Sequence, residues 1–119
     1  MPLTRRIVLA ATAAAVLGAA PVLAHHGWGS YDATKSITIT GPIKHTTYQY
    51  PHVHVMIDHQ GNTWEITLAP PSRMEARQAV LAVVKEGNVM AAYGYASTAR
   101  PHEMRAERIT VDGKTYEMR

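Results

Sequence analysis

The sequence predicts a mainly β domain with one helix, built as a small barrel of five or six strands. Three observations carry this. Short runs such as Ser36–Thr40, His52–Asp58 and Thr63–Leu68 alternate apolar and polar residues, the period of a half-buried strand. The period changes once, after Ala69-Pro70-Pro71, to a helical one. Turn-forming residues separate the runs at short intervals, and no internal repeat is present.

In chain order, residues 25–35 (HHGWGSYDATK) are polar and Gly-rich and read as an extended N-terminal arm. The first strand covers 36–40. Gly41-Pro42 interrupts it: proline has no amide donor for a ladder, so a bulge or an edge position is expected there, and 43–50 resume the strand. After a corner at Pro51, residues 52–58 and 63–68 form a hairpin about the turn His59-Gln60-Gly61-Asn62. Ser72-Arg73-Met74-Glu75 has the pattern of a capping box. Ala76, Val80, Val83 and Val84, widened by Leu81, then give an apolar stripe that predicts a helix to about residue 85, with Gly87 as its C-cap. Strands follow over 88–96, 103–111 and 114–118, the last two joined by the hairpin turn Asp112-Gly113. The order β-β-β-α-β-β matches a small barrel of the oligonucleotide/oligosaccharide-binding (OB) type. The competing arrangement is an open α+β sheet with the helix on one face.

Residues 1–24 read as a signal peptide. Arg5 and Arg6 precede an apolar run from Ile7 to Leu17, and Val22-Leu23-Ala24 suits a signal peptidase, so cleavage is expected after Ala24. The apolar run is shorter than the roughly 20 residues a membrane-spanning helix needs. The domain, residues 25–119, is thus expected in the periplasm without a stable membrane anchor, exported by the general or the twin-arginine route. Two of the twelve basic residues leave with the signal, so ten face nine acidic ones. Charges are interspersed and no basic patch exists, which argues against a nucleic-acid partner. Cysteine is absent, excluding disulfides and thiolate metal sites.

Histidine is the distinctive residue: all seven lie after Ala24. On a strand over 52–58, Val53, Val55 and Ile57 share the core face, so His52, His54, Met56 and Asp58 share the other. Two imidazoles about 6.6–6.8 Å apart along a strand can converge on one ion. Cleavage after Ala24 would make His25 the first residue, offering its α-amine and ring nitrogen to one metal. His52 or His54 would supply a third nitrogen, and His26 a fourth. An all-nitrogen planar set favours Cu(II). A softer alternative uses His52, His54 and Met56, with Met104 approaching from another strand and Trp28 or Trp64 over the ion, and suits Cu(I). A solvated strand face and a frayed terminus are the plain alternative. His45, His59 and His102 read as surface histidines. No helical H-E-x-x-H zinc motif, Gly-rich phosphate loop or nucleophile elbow is present.

His25-His26-Gly27-Trp28, Tyr50-Pro51-His52, Trp64, Ala69-Pro70-Pro71-Ser72, Lys85-Glu86-Gly87-Asn88, Gly94-Tyr95, the strand at Arg105–Ile109 and Asp112-Gly113 together resemble a family of small exported bacterial domains of unknown function. The resemblance spans nearly all of 25–119 and implies His25, His26 and His52 as the shared histidines. Many relatives lack a histidine at the place of His54 and carry Asn at that of Tyr50. In ligand arrangement alone, the site is similar in outline to the N-terminal-histidine copper site of particulate methane monooxygenase and to periplasmic copper carriers.

The function expected is therefore periplasmic copper binding for carriage, buffering or delivery, through His25, His26, His52, His54 and Met56, with a periplasmic protein as a further partner. A brace-type oxidative enzyme would need a broad substrate surface, for which 95 residues leave little room. The reading from another class is a metal-free binding module that uses a face near Tyr48, Tyr50, Tyr93 and Tyr95.

Overall fold

A computed structural model describes residues 28–119. The expected signal peptide, its cleavage site, His25 and His26 lie outside the described residues. A single 3₁₀ turn, Trp28–Ser30, leads into β1 (Tyr31–Thr47), followed by β2 (His54–His59), β3 (Asn62–Thr67), α1 (Pro71–Ala76), β4 (Val89–Ser97), β5 (Glu103–Val111) and β6 (Lys114–Glu117). The sheet runs β3-β2-β1-β4-β5-β6. It closes because β3 also pairs in parallel with the start of β5, Glu65 to Thr67 facing Glu103 to Arg105. The second half of β5 is left for the hairpin with β6. This is the OB-type barrel with one appended strand.

Closure gives the alternating residues one inside. Val53, Val55, Ile57, Ile66, Met90, Met104 and Ile109 are fully buried there. Asp112 and Gly113 both adopt positive φ, as a tight hairpin between twisted strands requires.

Two expected elements differ. Gly41-Pro42 does not interrupt the first strand, and β1 runs unbroken for 17 residues, taking in Tyr31 to Lys35 of the expected arm. The register explains why. Ile43 exchanges peptide hydrogen bonds with Gly87 and Asn88, so odd-numbered residues of β1 turn their peptide groups toward β4. The missing N–H of Pro42 faces the opposite edge, where the β2 pairing carries a bulge between Ile43 and His45, so no ladder bond is lost. Gly41 is needed because a Cβ there would meet the Asp58 carbonyl and, at 2.8 Å, the Ile57 side chain.

The helix is also shorter than its apolar stripe suggested. It ends at Ala76, because Gln78 turns left-handed at φ 63°. Pro70, with no side-chain cap bond, stands at the N-cap in place of Ser72. Beyond the turn the chain drops Ala79 and Val84 into the core and leaves Val80 and Leu81 41% and 53% exposed. The side-chain amide of Asn88 donates to the carbonyls of Ala82 and Val83 and holds these turns together.

Candidate metal site

His54 is the first residue of β2, opposite Thr47 of β1 and Thr67 of β3. Since Val53 and Val55 point inward, His54 and Met56 stand on the outer face, as expected from the alternation. The His54 side chain is 34% exposed. Its Nδ1 lies 3.2 Å from the Thr67 hydroxyl oxygen and 3.7 Å from Glu65 Oε1. With that nitrogen turned to the hydroxyl and carboxylate, Nε2 is left for the adjoining hollow. A partner on one ring nitrogen that fixes the tautomer of the other is how ligating histidines are generally held.

His52 precedes the strand, after a cis Tyr50–Pro51 bond. Its Nε2 is 3.5 Å from a terminal nitrogen of Arg105. Arg105 is 7% exposed, and burial pushes its guanidinium down from the usual arginine range, with Tyr31 acting the other way. A guanidinium beside Nε2 opposes a cation at that atom. The two histidines of the H-x-H pair therefore face different surroundings: a carboxylate and a hydroxyl at His54, a guanidinium at His52.

Two adjoining hollows lie over this face. One, of about 180 Å³, is lined by His52, His54, Thr67 and Arg105; the other, of about 290 Å³, by His54, Glu65, Arg100 and Glu103. They share Tyr31, His54 and Glu103. The chain enters beside them. The Trp28 ring has the Arg105 guanidinium 4.3 Å and the Arg119 guanidinium 4.1 Å from its centroid, and meets Tyr31 and Tyr95 edge to face. Residue 28 is thereby fixed next to Arg105 and, through it, to His52.

Other expected participants are elsewhere. Met104 is fully buried inside the barrel, because its alternation with Arg105 turns it to the core, so it cannot reach His54. Trp28 is occupied by two arginines, and Trp64 packs against the core with His102 on its edge. His45 Nδ1 lies 3.2 Å from Glu86. Among the described residues, no three of His, Asp and Glu come together closely enough to hold a metal ion. Of the four tyrosines expected on one face, Tyr93 and Tyr95 touch each other, Tyr48 packs on the core, where burial raises its phenol's pKa, and Tyr50 is exposed. Thr67, Glu65, Glu103 and Arg105 carry no signal in the local sequence beyond their place in the alternation.

The Tyr95 hydroxyl donates to Glu107 at 2.7 Å, and this bond raises the phenol's pKa above its ordinary value. A raised folded-state pKa stabilises the fold below the unfolded value of about 10, and that contribution is lost as pH rises through the folded value. Glu107→Gln is expected to bring the Tyr95 transition down toward the unfolded value, read as phenolate absorbance against pH.

The fold and its face define the class: an OB-like barrel with an imidazole-bearing hollow on the outer β2–β3 surface. The chain belongs to a family of unknown function (DUF6152), whose model matches residues 13–105. No match was found among curated proteins. Solved structures share the fold at low identity. A ZRD-deleted mutant of TiaS in complex with agmatine matches at a TM-score of 0.54 and 18% identity, over 73% of this chain and 27% of that one. The Schizosaccharomyces pombe Stn1–Ten1 complex matches at 0.52 and 17%, over 64% and 57%. Saccharomyces cerevisiae Rim1, a mitochondrial single-stranded DNA-binding protein, matches at 0.50 and 16%, over 66% and 93%. The chain thus spans about a fifth of the length of TiaS in its complex with tRNA.

Proposed function

We propose that the chain is exported, cut after Ala24, and binds copper in the periplasm for carriage, buffering or delivery. The ligands are the His25 amine and ring and His54, with His26, His52 and Met56 at the margin. The observation that carries this is the anchoring of Trp28 on Arg105, next to His52. His25 lies three residues upstream of Trp28, a tether of about 10 Å when extended. On this reading the His25 amine folds back onto the hollow that His54 lines. Glu65, 3.7 Å from the His54 ring, favours a cation there, while Glu103 is paired with Arg100. Nitrogen ligands favour Cu(II), and the Met56 thioether, two residues along the same strand face, suits Cu(I).

Stn1, TiaS and Rim1 share the barrel, but a nucleic-acid ligand fits this face poorly. Glu65 and Glu103 line it beside Arg100 and Arg105, and Glu103 pairs with Arg100 at 3.7 Å, so the face offers no excess of positive charge to draw phosphates.

The test is a Cu(II) titration of two purified forms, one beginning at His25 and one retaining Ala24. Tight one-to-one binding by the first, greatly weakened in the second, is the expected result. Equal binding would move the site to His52 and His54 alone, and no binding by either form would overturn the copper reading.

A further inference from the structure

A second site lies at the opposite end of β2, and its argument does not depend on copper. β1 outruns its neighbour: pairing with β2 covers only Ile43 to Thr47, while pairing with β4 continues back to Ser36 and, past a bulge, Tyr31. From Ser36 to Pro42 the even-numbered residues of β1 turn their peptide groups away from β4. At Thr40 this edge is closed by a side chain, since His59 Nδ1 lies 3.0 Å from the Thr40 carbonyl oxygen and 3.3 Å from its amide nitrogen. Before Ser36, within the β1–β4 bulge, the Thr34 N–H is taken by the Asp32 carboxylate at 3.0 Å. Between these two points the peptide groups of Ser36 and Thr38 face outward with no strand beside them.

That stretch of edge borders a groove of about 350 Å³ lined by Ile37, Thr38, Ile39, His59, Gln60, Asn62, Trp64 and His102. Ile37 and Trp64 form an apolar floor that packs down on the core. Gln60, at φ 49° in the β2–β3 turn, and Asn62 bring side-chain amides to the rim. No Asp, Glu, Lys or Arg lines the groove, so it complements an uncharged ligand. An edge offering alternate peptide groups beside an apolar floor is the arrangement by which a sheet accepts an added strand.

We propose that this groove binds an uncharged, extended segment of a partner polypeptide, which pairs with Ser36 and Thr38 in the line of β2 and sets an apolar side chain on Trp64 and Ile37. The partner contributes backbone donors and acceptors to the edge, and the amides of Gln60 and Asn62 serve its outer side. A sugar is the competing occupant of an aromatic floor with an amide rim; the unpaired strand edge favours the peptide.

The test pans displayed random short peptides against protein purified from cells expressing the full chain. Enrichment of uncharged sequences with alternating apolar residues is expected. A synthetic copy of an enriched peptide should shift the amide resonances of Ser36 and Thr38 and the indole resonance of Trp64. Thr38→Pro removes a donor that no strand of the protein uses, so binding should weaken about tenfold at unchanged thermal stability. Should that variant fold poorly, the resonance map on the unaltered protein decides. Absence of enrichment, shifts confined to other residues, or a Trp64 shift produced by maltotetraose or chitotetraose where peptides give none would overturn the proposal. It stands or falls separately from the copper titration, which reads the other end of the face.

Discussion

A chain carrying Gly94→Ala is expected to lose about 3 kcal/mol or more of folding stability, at the top of the range for an overpacked core. For a domain of this size that is a fall in Tm of about 12–24 °C. A Cβ at residue 94 would collide with the Arg105 carbonyl and stand 2.8 Å from the Ala106 Cα. Both are backbone atoms, so no side chain can rotate away, and relief requires β4 and β5 to separate. The pairing of these strands shifts register between Tyr93 and Gly94, which brings the backbones this close. Ala106, one of the affected residues, is fully buried, so the strain would spread into the core. Gly29→Ala supplies the control: a Cβ there meets nothing within 4 Å, and its Tm should be unchanged. Thermal unfolding of the two variants by circular dichroism makes the comparison. Equal melting temperatures would show that β4 and β5 can yield at the bulge.

The second expectation concerns the metal. His54→Ala is expected to weaken Cu(II) binding by the form beginning at His25 by about 100-fold or more, since even the loss of an outer partner of a ligand costs 10–100-fold. Thr67→Val, which removes the hydroxyl 3.2 Å from Nδ1, should fall within that smaller range. His52→Ala should have the weaker effect of the two histidine substitutions, because Arg105 sits at its Nε2. Calorimetric titration of the three variants orders them, with circular dichroism to establish that each is folded. A larger loss for His52→Ala than for His54→Ala would overturn this order and make His52 the imidazole that completes the site.

Much of the barrel was legible because strand alternation survives closure. Val53, Val55 and Ile57 point inward, and Asp112-Gly113 turns where it should. Gly41-Pro42 was misleading because a proline's cost depends on which edge its nitrogen faces, and that is fixed by the partner strands. The helix was overextended for a related reason. Val80, Val83 and Val84 are spaced as on a helix, but Gln78 reverses the chain and tertiary packing assigns Ala79 and Val84 to the core. At the site, the placement of His54 and Met56 on one outer face followed from the period alone. What the period could not show is that closure of β3 on β5 sets Arg105 beside His52, or that Trp28 folds onto that same arginine. Those contacts join residues 53 and 77 positions apart, and no local pattern encodes them.

The stacking of Arg119 on Trp28 brings the last residue of the chain against the first described one. Arg77 also donates to the Arg119 carbonyl, and Met118, just before it, is buried. Arg119 is therefore a poor point of attachment for biochemistry. An affinity tag attached there would emerge beside the hollow, and a polyhistidine tag would bring a cluster of imidazoles to the place where copper is to be measured. A reporter fused at that end would likewise crowd the face, whereas the Asp112-Gly113 hairpin tip carries no element of the site.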